Sequence, residues 1–134
     1  MIRALLAPGY CMPEFSTLAL VDRETFDSLT AEIGLPGMRN LVEMFFREAE
    51  GRLAALRDLA VRDVDAIRFQ THALHGSGGM FGLTRLSALL RRLHDDAGRV
   101  AAEDYQHSVR RLTETFVASR TALADVLGAS RESH

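Results

Sequence analysis

Hydrophobic residues recur at steps of three and four along most of this chain, which is the spacing of one helix face. The clearest stretch is 64–82, VDAIRFQTHALHGSGGMFG. One of its faces is suited to burial and carries Val64, Ile67, Thr71, Leu74, Gly78 and Phe81. A polar, glycine-rich stripe lies well away from that face and carries Asp65, Arg68, His72, His75, Gly76 and Gly79. The pattern therefore predicts a central helix with His72 near the middle of its exposed side.

Two helices are predicted before this stretch. A short one is expected to follow Asp22, a good N-cap residue, and to end at Gly34. We expect residues 36–37, a proline and a glycine, to break the chain, and a long amphipathic helix to begin at about Met38. Asp63 is then the expected N-cap of the central helix.

Two more helices are predicted after it. Gly82 can end the central helix in a left-handed conformation, because glycine has no Cβ to clash there. Thr84 is the expected N-cap of a leucine-rich helix that Gly98 closes. The last long helix is expected over Ala102–Leu127.

These elements predict an all-α fold. No stretch shows sustained period-two alternation, so no sheet is expected. Four long amphipathic helices with short turns indicate an up-down antiparallel four-helix bundle, here with a short additional N-terminal helix. We expect this bundle over residues 17–128, preceded by a loosely ordered leader, 1–16, and followed by a polar tail, 129–134, that frays.

Composition narrows the class of protein. A chain of 134 residues with 47% hydrophobic and 25% charged residues is typical of one soluble globular domain. The net charge of -2 gives no reason to expect nucleic-acid binding. Cys11 is the single cysteine, which excludes an internal disulfide and favours a reducing, cytoplasmic setting. No apolar run is long enough to span a membrane, and we expect a monomer.

The exposed His72 suggests phosphoryl chemistry. A neutral imidazole is nucleophilic near pH 7, and the N–P bond it forms is reactive enough to pass the group on. Gly76 follows one turn later, where a side chain would obstruct an incoming protein, and Gly79 is explained in the same way. Each glycine costs about 1 kcal/mol relative to alanine inside a helix. For Gly78, on the buried face, we expect close contact with another helix.

These residues resemble the signature of histidine-containing phosphotransfer (HPt) domains, His-x-Leu-Lys-Gly-Ser/Ala followed by a glycine and a leucine-rich helix. The matching residues are His72-Ala73-Leu74-His75-Gly76-Ser77, Gly82, Leu86, Leu89 and Leu93. The resemblance extends over roughly residues 20–127. It implies that His72 accepts a phosphoryl group from one phospho-aspartyl receiver domain and hands it to another, in a response regulator or a hybrid histidine kinase. The receiver would bring Mg²⁺ and the aspartate; the chain itself would bind no cofactor and have no kinase or phosphatase activity.

The chain departs from this family at two positions. His75 stands where lysine is usual, and all sixteen basic side chains apart from histidine are arginine. Lysine there is thought to pair with phosphoryl oxygens, and a mostly neutral imidazole would do so more weakly, and more at low pH. His94 follows Leu93 where glutamate is frequent. We expect His75, Ser77 and Arg68 to form the hydrogen-bonding and charge environment of His72.

Phe69 lies about 60° round the helix from His72. It is a candidate anchor for a docking receiver, with Arg68, Gly76 and Arg85 around it. The alternative is that Phe69 covers the edge of the core, and the sequence leaves both interpretations open.

Other interpretations of these residues compete with phosphotransfer. A helical adaptor could bind a receiver or kinase through the same face without carrying phosphate; acid-labile, base-stable phosphate on the protein would distinguish the two. His72 and His75 are three residues apart, but no carboxylate follows one turn further on, so we predict no metal site. Residues 76–79 could form a loop between two shorter helices, although Gly78 and Phe81 stay in phase with Leu74. Residues 76–79 also lack the Gly-Lys-Ser/Thr of a P-loop, so no ATP site is expected there.

Overall fold

The computed structural model describes residues 17–132, and it is helical over most of that range. Five helices follow one another: α1 Arg23–Ile33, α2 Leu35–Asp58, α3 Val64–Met80, α4 Thr84–Asp96 and α5 Ala102–Glu132. No strand occurs within this part of the chain. The predicted leader and the last two residues lie outside the described residues.

The four long helices close into a bundle. Helix α3 packs against α2 and α4, and α5 completes the ring by packing against α4 and α2. The short connections at 59–63, 81–83 and 97–101 make sequential helices antiparallel neighbours. Helix α1 packs against α2 and α3. The predicted all-α bundle with a short additional helix is therefore confirmed.

The core is a single cluster of leucines and aromatic rings. Phe45 lies 5.0 Å from Phe46 and 5.4 Å from Phe81 between ring centroids, and Phe46 lies 5.2 Å from Phe116. On α3 the residues predicted to face inward are buried, namely Ile67, Thr71, Leu74, Gly78 and the following Phe81, with Val64 half-buried at the edge. This fixes the rotation of α3 and turns its glycine-rich stripe away from the core.

Tyr105 joins α5 to the end of α2. Its buried hydroxyl donates a hydrogen bond to the carbonyl of Leu56, which lies in the last turn of α2, where carbonyls lose their helical partners. Burial, reinforced by the negative charge of Asp63, raises the pKa of Tyr105 to about 12. The phenol therefore stays protonated and remains a donor.

Gly82 ends α3 as predicted, with φ of +79°. The amide of Gly82 donates to the carbonyl of Gly79 at 3.1 Å, and the amide of Leu83 donates to the carbonyl of Gly78 at 3.1 Å. This is the Schellman pattern, which satisfies carbonyls at a helix end. The Gly82 carbonyl in turn accepts the amide of Asp22 at 2.7 Å, so the turn also holds the chain segment that enters α1.

Several predicted helix boundaries are wrong. Helix α2 begins at Leu35 instead of Met38, because Pro36 occupies its first turn, where the missing amide has no helical partner to lose. Helix α5 continues to Glu132, five residues past the predicted end at Leu127. One glycine at 128 costs only about 1 kcal/mol and does not stop a long helix.

The predicted caps also differ. Asp22 and Asp63 occupy N-cap positions, but neither side chain caps its helix. The Asp22 carboxylate accepts the hydroxyl of Thr25 at 2.6 Å, and the Asp63 carboxylate accepts the amide of Ala60 at 2.8 Å. Leu83 is the N-cap of α4, and Thr84 is its first residue.

Candidate functional site

His72 lies at the middle of α3 on its exposed side. Thr71 and Leu74, its neighbours on the inner side, are buried and fix the direction in which this helix faces. The imidazole is therefore presented to solvent by a segment whose other side is anchored in the core.

The backbone beside His72 is open. A Cβ built on Gly76 or on Gly79 would have no neighbouring heavy atom within 4 Å. Gly78 faces the other way: its Cβ would lie 3.5 Å from Ser87 Oγ and 3.8 Å from Phe45 Cζ, which is ordinary contact. The predicted close approach at Gly78 is therefore present, although the space would still admit a methyl group.

A second histidine borders His72 from helix α4. The ring of His94 lies 6.2 Å from that of His72 between centroids, at an interplanar angle of 45°. His94 Nδ1 is 3.1 Å from Oδ1 of Asp95. That hydrogen bond, with the nearby Arg91, holds the pKa of the Asp95 carboxyl below its usual range. The Asp95 carboxylate therefore stays ionised beside the His94 ring.

His75 is half-buried on the same side of α3. Burial lowers its pKa, and the positive charges of Arg91, His72 and His94 lower it further, while Asp95 opposes the shift. The imidazole of His75 is consequently neutral at neutral pH. In that state it offers one N–H donor and no positive charge to a group on His72.

Phe69 is an exposed aromatic side chain on the other flank of His72. It is 64% exposed, and the guanidinium of Arg52 on α2 lies 5.6 Å from its ring centroid. Arg52 is fixed in turn by Glu48 at 2.7 Å and by Gln70 at 3.0 Å. Of the two interpretations of Phe69, this exposure favours a surface anchor over a cover for the core.

A second exposed apolar side chain shares this flank. Met80 follows Phe69 by eleven residues, close to three full turns, so both lie on one side of α3. Met80 is 48% exposed. With Phe69 it forms an apolar margin beside the open glycines, of the kind that marks contact surfaces.

Arg68 and Arg85 have structural contacts that the sequence did not indicate. Arg68 donates to the carbonyl of Ala97 at 3.2 Å and, at a longer 3.4 Å, to that of His94, so it caps the C-terminal end of α4. Arg85 donates to the carbonyl of Leu18 at 2.7 Å and 2.9 Å. It lies nine residues before His94, about 14 Å along the helix. The part expected of Arg85 in the docking surface around Phe69 therefore stays a prediction.

Ser77 is half-buried and lies one residue after Gly76. It follows Gln70 by seven residues, or two turns, which places it on the side of α3 that faces α2. Of the predicted environment, the structure thus brings His75, Gly76 and Gly79 to the exposed side of α3, with Ser77 at its border.

His94, Asp95 and Arg52 were not among the predicted site residues. The antiparallel pairing of α3 and α4 around residues 81–83 could have indicated His94, because it places residue 94 level with residue 72. No group of three or more histidine, cysteine or acidic residues suited to a metal ion occurs in 17–132. Within the same residues, no helix combines the length and apolar character needed to cross a membrane.

Comparison with known proteins gives one match. A family model described as the Hpt domain matches residues 40–132, which include α3, α4, α5 and most of α2. Searches of curated proteins and of solved structures find no match.

Proposed function

Because the chain belongs to the Hpt domain family, we propose that it relays a phosphoryl group between phospho-aspartyl receiver domains of a two-component phosphorelay in the cytoplasm. Domains of this family serve phosphotransfer in two-component signalling and are in general phosphocarriers, not kinases. The proposed acceptor is His72. The observation that carries the proposal is an exposed imidazole at mid-helix with open backbone at Gly76, one turn along.

The proposed reaction needs little from this chain beyond presentation. A ring nitrogen of neutral His72 attacks phosphorus, an N–P bond forms, and the bond from phosphorus to the receiver's aspartyl oxygen breaks, returning the carboxylate to the receiver. Delivery to a second receiver reverses these steps. Phosphoryl transfer depends mainly on alignment and charge neutralisation, and we propose that the receiver supplies Mg²⁺ and the aspartate while this chain has no kinase or phosphatase activity of its own.

Docking is assigned to the surface around His72. Gly76 and Gly79 allow the receiver to approach the helix backbone, and Phe69 offers an aromatic side chain already in place at the edge of that approach. The Arg52 guanidinium packs on the Phe69 ring in a cation–π contact. Because this contact restrains the Phe69 side chain before binding, less side-chain entropy is lost when a receiver docks. Receiver domains of response regulators or hybrid kinases are the proposed partners.

The test is transfer of labelled phosphate from purified phosphorylated receiver domains. We expect His72→Gln to remain folded, because residue 72 is exposed, and to take up no label, because the acceptor is gone. His107→Gln, which removes a half-buried histidine from α5, is the matched control and should label normally. Label that persists in His72→Gln would refute the assignment. A receiver that binds the wild-type chain without ever transferring phosphate would instead favour an adaptor.

A further inference from the structure

The pair His94–Asp95 borders the proposed phosphoryl acceptor and takes no part in the proposed attack of His72 on phosphorus. The ring of His94 is held by its neighbour, because Nδ1 lies 3.1 Å from Oδ1 of Asp95. Its ring is thus fixed beside His72, with centroids 6.2 Å apart. That separation leaves the ring edges farther apart than a direct hydrogen bond.

We propose that His94, held by Asp95, is a positioning residue that donates a hydrogen bond to the phosphoryl group carried by His72. The inference rests on the proposed function, since it requires phosphate at that position. A phosphoryl group on His72 would place oxygen atoms in the gap between the two rings. The ring nitrogen of His94 that Asp95 does not occupy is the available donor.

Charge supports this arrangement. A phosphoryl group carries about two negative charges near neutral pH. With Asp95 at one nitrogen and phosphoryl oxygen at the other, both nitrogens of His94 face acceptors, and only the doubly protonated ring can donate to both. The charged and titratable groups around it are His72, His75 and Arg68 from α3, and Arg91 and Asp95 from α4. The proton comes from solvent, because the ring is partly exposed.

His75 is a weaker candidate for the same role. The His75 ring is half-buried and neutral. Within residues 17–132 it has no hydrogen bond to a carboxylate, whereas His94 has one to Asp95. The residue that replaces the cation usual in this family is therefore on α4, not three residues after the acceptor. Helix α3 thus presents His72, and helix α4 stabilises the phosphoryl group that His72 carries.

The experiment loads the full chain with phosphoramidate, a small N–P donor, so that no receiver is needed. The lifetime of phosphate on His72 is then followed by ³¹P NMR. We expect His94→Leu to shorten it about tenfold, the effect of one hydrogen bond between charged groups. His94→Gln keeps a neutral donor of about half that strength, so it should remain within about threefold of wild type. His107→Leu is the control and should match wild type.

A second readout is the pH dependence of these lifetimes. The ratio of wild-type to His94→Leu lifetimes should rise as the pH falls, because a second ring proton lets His94 donate at both nitrogens. A purely structural role would not produce that rise. Equal lifetimes for wild type and His94→Leu, or a His94→Gln lifetime as short as that of His94→Leu, would overturn the inference alone. Absence of phosphate on His72 in the loaded wild-type protein would overturn the proposed function as well.

Discussion

Substitutions of Gly76 test two properties independently: the stability of α3 and the access of a receiver to His72. Gly76 is exposed inside the helix, and a Cβ there meets nothing within 4 Å. Gly76→Ala should therefore raise the free energy of unfolding by about 1 kcal/mol, since alanine is the better helix former and no clash offsets the gain. For a domain of this size, the midpoint of thermal unfolding should rise by about 4 °C.

A longer side chain at the same position should have the opposite effect on function. Gly76→Gln retains most of the helix gain but places a side chain beside His72, where the receiver must approach. Misplacing reacting groups by about 1 Å costs about a hundredfold in rate, and a flexible glutamine can move partly aside. We therefore expect transfer from a phosphorylated receiver to slow by about tenfold to a hundredfold.

The assay compares receiver-dependent transfer with labelling by phosphoramidate. Gly76→Gln should slow the transfer from a receiver and leave labelling by phosphoramidate unchanged, because a small donor does not need the space. Gly128→Gln is the matched control: a Cβ there is equally unobstructed, and α5 lies across the bundle from α3. It should transfer at the wild-type rate. Wild-type transfer by a stably folded Gly76→Gln protein would refute the access argument.

Three further results are expected. Gly82→Ala should destabilise the fold by about 2–3 kcal/mol in denaturant titrations, because φ is +79° and the new Cβ would lie 2.7 Å from the Asp22 carbonyl oxygen; an unchanged midpoint would contradict this. His75→Lys should speed transfer by adding a positive charge near the phosphoryl group, and a slower rate would count against that interpretation. Because the pKa of His75 is lowered by folding, the native state resists its protonation, so wild type should lose more stability than His75→Gln as the pH falls below about 6.5. A wild-type gain on acidification would contradict the sign.

Helical phase explains why the fold could be predicted from the sequence. The inward face of α3 depends only on spacing along one helix, and the left-handed turn at Gly82 depends only on the absence of a Cβ. The helix boundaries and caps depend on which nearby groups compete for the same hydrogen bonds, and residue spacing does not show this. Asp22 and Asp63 are both able to cap, yet Thr25 and the Ala60 amide take their carboxylates instead.

In the candidate site, too, some features could be predicted from helical phase and others could not. The exposure of His72 and the open backbone at Gly76 follow from the phase of one helix, so both could be predicted. Arg68 and Arg85 could not be placed, because their long side chains reach carbonyls 29 and 67 residues away in sequence. His94 required knowledge of the pairing between α3 and α4, which brings it beside His72.

The central claim is that His72 itself carries the phosphoryl group, and locating the phosphate tests it most directly. The chain would be incubated with a phosphorylated receiver, digested at alkaline pH, where phosphohistidine survives, and sequenced by tandem mass spectrometry. We predict a single modified histidine, His72. Phosphate on His75 or His94, with His72 unmodified, would contradict the account.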